Sequence, residues 1–435
     1  MTGVNLSRQL GLGVLILYGV GDILGAGIYA LVGKVAGTAG SGAWLSFAVS
    51  GLLALITGLS YAEFSARIPH SAGASAYCGA ASRHAFPPFL AGMLVLTSGV
   101  TSTATVALAF HGYLAVLLPL PQIAAAVGLI ALISAWNYAG IRQSAMANNV
   151  LTLIEIAGLL WVIVAVGGHA VTQRPPAELA AALVPTAGWE AILAGATLAF
   201  FAFIGFEDLA NLAEEAKDPA RDLPRAILIA VAVTTLLYLA VVTVVLWAMP
   251  PEHAAASPRP LLDALGASGF AMGAPLFSVI AMIAICNTGL ANSIMASRLL
   301  YGMARNGLLP NFLATVHAER RTPWAGIVIT ALLGVLLVAT GGVALMDQTT
   351  GSLLVCVFLM VHVSLIRVRR AAGTSPAGLF RAPAFVPYMG ALLCTGMLTR
   401  FPAEVWARVA IVVAVAAGLH ALMPKGDATR ADPAA

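Results

Sequence analysis

The residues of this chain best suited to chemistry are polar groups embedded in hydrocarbon-like sequence. The run Gly19-Val20-Gly21-Asp22-Ile23-Leu24-Gly25-Ala26-Gly27-Ile28-Tyr29 sets four glycines and a carboxylate inside an apolar segment. Glycine is costly in a helix interior, and an aspartate near a bilayer centre costs at least about 2.5 kcal/mol on insertion scales. Irregular backbone at membrane depth is tolerated where it lines a protected cavity, so the run reads as a binding site made from a broken helix. A second interruption, Leu198-Ala199-Phe200-Phe201-Ala202-Phe203-Ile204-Gly205-Phe206-Glu207-Asp208, again brings a glycine followed at once by acids. An unwound turn exposes N–H groups to a carboxylate and C=O groups to a cation or ammonium, with half-helix dipoles reinforcing each. Such a site suits a zwitterion.

The elements that must carry these breaks are membrane helices. Of the 435 residues, 60% are apolar and 9% charged, and the mean hydropathy is +0.94, which excludes a soluble domain. Apolar runs of about 20 residues predict twelve spans, near 11–34, 42–66, 84–113, 121–140, 146–168, 188–211, 224–249, 271–303, 324–340, 345–367, 383–400 and 404–422. The first run exceeds signal-peptide length and lacks a cleavage site, so it is expected to stay in the protein. Every second connection is basic, from Arg8 through Arg67 and Arg83, Arg142, Lys217 to Arg225, Arg305 to Arg321 and Arg367 to Arg381, to Lys425 and Arg430. By the positive-inside rule both termini are expected in the cytoplasm. The two matching breaks, five spans apart, point to an inverted repeat with substrate near the midplane.

Other candidates have plainer readings. Glu63 and Arg67 are spaced for a local i,i+4 pair, and His111 is expected to satisfy a hydrogen bond. The four cysteines, 78, 286, 356 and 394, have no metal-ligand spacing, and neither a metal nor a cofactor is expected. The glycine-rich pattern at 19–27 lacks a following Lys-Ser/Thr and lies within a span, which excludes a nucleotide loop. Asn287, Thr288, Asn292 and Ser293 are expected to bond between helices. The calculated pI of 9.0 reflects loops beside anionic lipid rather than nucleic-acid binding.

Four motifs together resemble the amino acid–polyamine–organocation permeases. They are Gly25-Ala26-Gly27-Ile28-Tyr29; Ser60-Tyr61-Ala62-Glu63-Phe64-Ser65-Ala66-Arg67-Ile68-Pro69 with Gly73 and Tyr77; Phe203 through Glu207, Glu214, Glu215, Pro219, Asp222, Pro224 and Arg225; and Ser297 to Pro310. The resemblance covers roughly the first ten spans. It implies an all-α integral membrane protein of the leucine-transporter type, a single domain over 1–422. Repeat one would cover about 11–168, repeat two about 188–367 and helices eleven and twelve about 383–422, with 423–435 as a cytoplasmic tail.

The same resemblance implies alternating access, with Gly25, Ala26 and Gly27 offering backbone N–H groups to the substrate carboxylate and Ile23 and Leu24 just before them in the substrate site. Phe201, Ala202, Phe203 and Ile204 would supply carbonyls for the amine, and Phe201 an occluding gate. Packing is the competing reading of that aromatic cluster. At Glu155 many relatives have lysine, so a carboxyl there could carry a proton, help hold a cation, or be a capped structural group. Asp22 stands where related permeases often have a small or hydroxyl residue; it could bind the amine, couple to protons or bond a neighbouring helix. Glu207 matches a family acid that links its helix to neighbours or senses protons.

The expected protein is a secondary transporter of amino acids in a bacterial-type inner membrane, coupled to protons or working by exchange, and not an enzyme. Its partners would be an amino acid or amine, protons and membrane lipid, with no nucleic acid. A polyamine or organic-cation carrier and a non-transporting amino acid sensor are the alternatives.

Overall fold

A computed structural model describes residues 6–25, 27–115, 118–257, 259–269, 274–340, 347–372 and 378–422. Ala26 and the tail 423–435 lie outside the described residues.

A chain this apolar can satisfy its backbone polar groups in lipid only through intrahelical bonds, and the described residues accordingly form helices wherever a span was expected. In order these are α1 (Leu12–Leu24), α2 (Gly27–Ala39), α3 (Ala43–Arg67), α4 (Gly73–Ala80), α5 (Phe86–Leu114), α6 (Gln122–Ala139), α7 (Ile141–Gln173), α8 (Pro176–Ala181) and α9 (Trp189–Phe200). They continue with α10 (Pro219–Ala248), α11 (Pro251–Ala256), α12 (Pro260–Ala267), α13 (Ala274–Arg305), α14 (Trp324–Thr340), α15 (Asp347–Ala372), α16 (Val386–Leu398) and α17 (Ala403–Leu422). Among the described residues ten stretches are long and apolar enough to cross a membrane, and α14 and α16 are shorter apolar helices, so each of the twelve expected spans has an apolar helix as counterpart. Leu236, Leu332 and Val164 are 68%, 63% and 69% exposed on outer helix faces. So much outward-facing apolar surface would promote association in water and fits contact with lipid.

The two expected breaks are present. The first span divides into α1 and α2 at Gly25, and the sixth divides after α9 into the 3-10 turn Phe201–Phe203 and the 3-10 segment Phe206–Glu215. The leading half-helices are 13 and 12 residues long, a near match between the two interruptions. α1 packs against α7, α10, α13 and the 3-10 segment, so the first break lies in the centre of the bundle. α7 runs from Ile141 to Gln173, longer at both ends than the expected span, so Glu155 lies farther from its helix start than a span beginning near residue 146 indicated.

Candidate functional site

The sixth-span break forms because Ile204 is extended (φ −66°, ψ 138°) and Gly205 adopts φ 132°, a conformation that side-chain-bearing residues rarely take. Space adds to the requirement: a Cβ at Gly205 would lie 2.8 to 3.0 Å from the backbone of Asp22 and Ile23. The two interruptions therefore touch main chain to main chain. Glu207 Oε2 accepts the Gly205 N–H at 2.9 Å, so this carboxylate caps its own break.

At the first break the polar groups separate by sign. The Tyr238 hydroxyl of α10 lies 2.8 Å from Ile23 O, 3.2 Å from Leu24 O and 2.9 Å from Ala202 O. One O–H can donate to only one of these at a time, so three carbonyls from both broken helices converge on a point that can take more donors. Phe203, stacked edge-on at 5.1 Å, and Phe47 at 5.8 Å hold the tyrosine ring. The Gly25 N–H closes the last turn of α1 on Gly21 O at 3.3 Å, so it does not offer itself to a ligand as expected. Gly27 opens α2 instead, and the first-turn N–H groups of a helix have no intrahelical acceptor.

Of the other expected site residues, Ala202 and Phe203 are buried and Ile204 is half-buried at the break. The Phe201 ring lies against the Gly351 backbone in α15 and 6.2 Å from Phe401.

Glu155 belongs to a second polar cluster beside the first break. Asn148, Thr152 and Glu155 recur at helical spacing on one face of α7. Asn287 of α13 donates to Glu155 Oε2 at 3.0 Å and Thr152 Oγ1 at 3.1 Å, reaches Gly21 O at 3.5 Å, and accepts from Asn148 at 2.7 Å. Glu155 Oε1 is buried without a hydrogen-bond partner. The close contact between α1 and α7 requires glycine at position 21, where a Cβ would collide with the Thr152 hydroxyl. Asn287 and Ser293 bond between helices as expected, whereas Thr288 and Asn292 bond their own helix backbone through Ala284 O and Thr288 O.

A third cluster joins the N-terminal segment, the 3-10 segment and α13 near the basic loops. Glu215 and Arg298 are fully buried and paired twice, at 3.1 and 3.2 Å, and Arg298 also bonds Asn137 and Ser297. The Gln9 and Leu10 N–H groups donate to Glu215 O, and Lys217 N–H returns a bond to Leu10 O at 2.8 Å. Glu214 binds Arg305 at 2.9 Å and Tyr301 at 3.2 Å. These residues had no expected role; their signal in the sequence is an arginine within an apolar span. The expected Glu63–Arg67 pair forms at 2.6 Å, and Arg369 of α15 and the Ala382 N–H share the same carboxylate. His111 Nε2 meets Leu120 O at 3.0 Å. Among the described residues no group of three His, Cys, Asp or Glu side chains could hold a metal ion.

Among the described residues, ten membrane-length apolar helices and two shorter ones around two broken helices that meet within the bundle define a multi-pass membrane protein of the transporter class. The chain matches the amino acid permease family over residues 10–419 and belongs to it, as the four motifs indicated. It is 28% identical over 442 residues to the branched-chain amino acid permease BcaP of Bacillus subtilis, covering 94% of this chain and 92% of that one. It is 30% identical over 435 residues to the methylthioribose transporter of the same organism, with the same coverage. Cationic amino acid transporter 4 of Mus musculus is 30% identical over 394 residues, 85% of this chain and 61% of that protein. These relatives are carriers and not enzymes.

Proposed function

We propose that the protein is a secondary active transporter that moves amino acids by alternating access, with the two breaks as its binding site. The observation that carries this reading is the convergence of Ile23, Leu24 and Ala202 carbonyls on one hydroxyl, beside the opening turn of α2. An ammonium has three N–H donors where Tyr238 has one, so it matches those acceptors better. The carboxylate of the same molecule would take the N–H groups that open α2, Gly27 among them, where the helix dipole favours an anion. Phe201 would swing from Gly351 over the bound molecule as the gate. Gly205 and Gly25 would allow the two breaks to flex, and two five-helix repeats would supply the rocking parts.

Glu155 is the coupling group in this reading. It lies against the first and eighth spans with only neutral hydrogen-bond donors, so it can take up a proton when shielded and release it when hydrated. The alternation of basic loops supports an inner-membrane protein with both termini in the cytoplasm. The names of BcaP and the cationic transporter support an amino acid as cargo; that of the methylthioribose transporter shows that a relative can carry something else.

The test is uptake of labelled amino acids into proteoliposomes with and without a pH gradient. Saturable uptake blocked by amino acids but not by their decarboxylated amines is expected, since each lost charge-assisted bond costs about 1.5–3 kcal/mol. Equal competition by the amines would favour the organic-cation alternative, for which the partnerless Asp22 and Glu155 oxygens speak. Binding without any uptake would favour a sensor.

A further inference from the structure

The outer face of the bundle carries a concave site that the transport reading does not use. α6 and α14 pack side by side, and between the last turns of one and the first turns of the other lies a groove of about 290 Å³ lined by Ser134, Tyr138, Ile327, Val328, Ala331 and Leu332. Ser134 and Tyr138 apart, its walls are aliphatic. Val328 and Leu332 are themselves exposed, so the groove opens towards lipid rather than into the bundle. We propose that this groove binds an anionic phospholipid, with an acyl chain between α6 and α14 and the phosphate on the arginines at its mouth.

Tyr138 is both a wall of the groove and the platform for a cation, because the Arg320 guanidinium lies over its ring, 4.7 Å from the centroid. The turn that carries Arg320 is fixed from several sides. Arg321 N–H donates to His317 O and His317 N–H to Thr322 O, both at 2.9 Å. The His317 ring meets Tyr138 edge-on at 5.5 Å, and the Thr322 hydroxyl donates to Tyr138 O at 3.3 Å. Arg320 O lies 3.8 Å from where a Cβ on Gly140 would stand, which sets the start of α7, with Arg142, beside the same turn. Arg142, Arg320 and Arg321 are exposed, and among the described residues none of them forms an ion pair. Against these three arginines the turn sets a single acid, Glu319. The mouth therefore carries a surplus of positive charge.

Guanidinium groups match phosphate oxygens with paired N–H donors, and a basic pocket between membrane helices suits an anionic headgroup. Depth agrees. From Trp324 to Leu332, α14 rises about 12 Å, close to half of a hydrocarbon core about 30 Å thick, so a chain whose phosphate rests at Arg320 lies along the groove within one leaflet. Trp324, 44% exposed at the start of α14, suits the headgroup level, where tryptophan is favoured. A soluble anion would use the arginines and leave the groove empty, and a zwitterionic lipid would fill the groove without net charge for the arginines. An anionic lipid uses both. The site rests on the membrane character of the protein and is independent of the transport reading.

The test is native mass spectrometry of the full-length protein in detergent, incubated with phosphatidylglycerol or with phosphatidylcholine of the same chains. Retention of phosphatidylglycerol about tenfold above that of phosphatidylcholine is expected from the charge at the mouth. Arg320→Ala combined with Arg321→Ala should remove that preference and leave phosphatidylcholine retention as it was. Ala331→Phe, which fills the groove, should lower retention of both lipids. Glycerol phosphate, the headgroup without its chains, should not displace the lipid at equal concentration. Equal retention of the two lipids by the wild type, or an unchanged preference in the double arginine variant, would overturn the proposal. Displacement by glycerol phosphate as efficient as by phosphatidylglycerol would mark a soluble-anion site and overturn it as well. Undiminished retention by folded Ala331→Phe would overturn the groove as the place of the chain; should that variant not fold, the exposed arginine variant and the competition decide.

Discussion

Two buried glutamates in this protein sit in opposite electrostatic settings. Glu215 is held by two N–H groups of the Arg298 guanidinium, while Glu155 has one neutral amide donor and one oxygen without a partner. A charge pair closed on all sides is costly to open by halves, since removing one member strands the other in a low dielectric. A carboxyl served by neutral donors can change protonation without leaving a bare charge behind. The difference separates a tie, which fastens α13 to the 3-10 segment, from an exchange site, which in the proposed reading loads and unloads.

The largest effect should come from cutting the tie. Arg298→Ala leaves Glu215 buried and unpaired, with an expected cost of about 3–5 kcal/mol, read as a fall in melting temperature in detergent. Glu155→Gln, which keeps the volume and adds only an N–H, should cost far less. A comparable loss of stability in both variants would break the contrast.

Next comes the contact that brings α1 to the exchange site. Gly21→Val would drive a β-branched side chain into the Thr152 hydroxyl and towards Asn287. Overpacking of this kind costs about 1–3 kcal/mol, and the shift of α1 should abolish uptake while the protein still inserts. Normal uptake by Gly21→Val would show that the α1–α7 contact is not needed for transport.

The fold was legible from composition and spacing because lipid permits one kind of spanning structure here: apolar run length locates helices, and glycine followed by acid locates breaks. The partners of the site were harder to read. Tyr238 lies thirty-six residues past Ala202 and two hundred and fifteen past Ile23 in sequence, so no local pattern links them. Arg298 and Glu215 belonged to recognisable motifs, yet their pairing is a tertiary contact between α13 and the 3-10 segment. The capping of Gly205 by Glu207, two residues on, was local but depended on a φ value that sequence does not state. Thr288 and Asn292 show the converse: polar residues on one helix face need not reach another helix when their own backbone carbonyls are in range.

Within the exchange cluster itself, Glu155→Gln sharpens the comparison through function rather than stability. A one-unit pH gradient supplies about 1.4 kcal/mol per proton, enough for about tenfold accumulation. The variant should hold substrate in exchange assays but lose that accumulation, because a glutamine cannot release a proton. Accumulation at the wild-type level would move the coupling role to Asp22 or to no carboxylate at all.

The smallest effect is expected at Tyr238. Its hydroxyl serves three carbonyls that the proposed substrate ammonium would also use, so it both competes with the substrate and keeps the acceptors satisfied before the substrate arrives. Tyr238→Phe removes a neutral hydrogen bond with a net worth of about 0.5–1.5 kcal/mol, a change of roughly two- to tenfold in apparent affinity. The sign decides which role dominates. Tighter binding would mean that the tyrosine competes for the carbonyls, whereas weaker binding would mean that it orders the break for the substrate. No change in affinity for any amino acid would place the ammonium elsewhere and undo the assignment of Ile23, Leu24 and Ala202 as its acceptors.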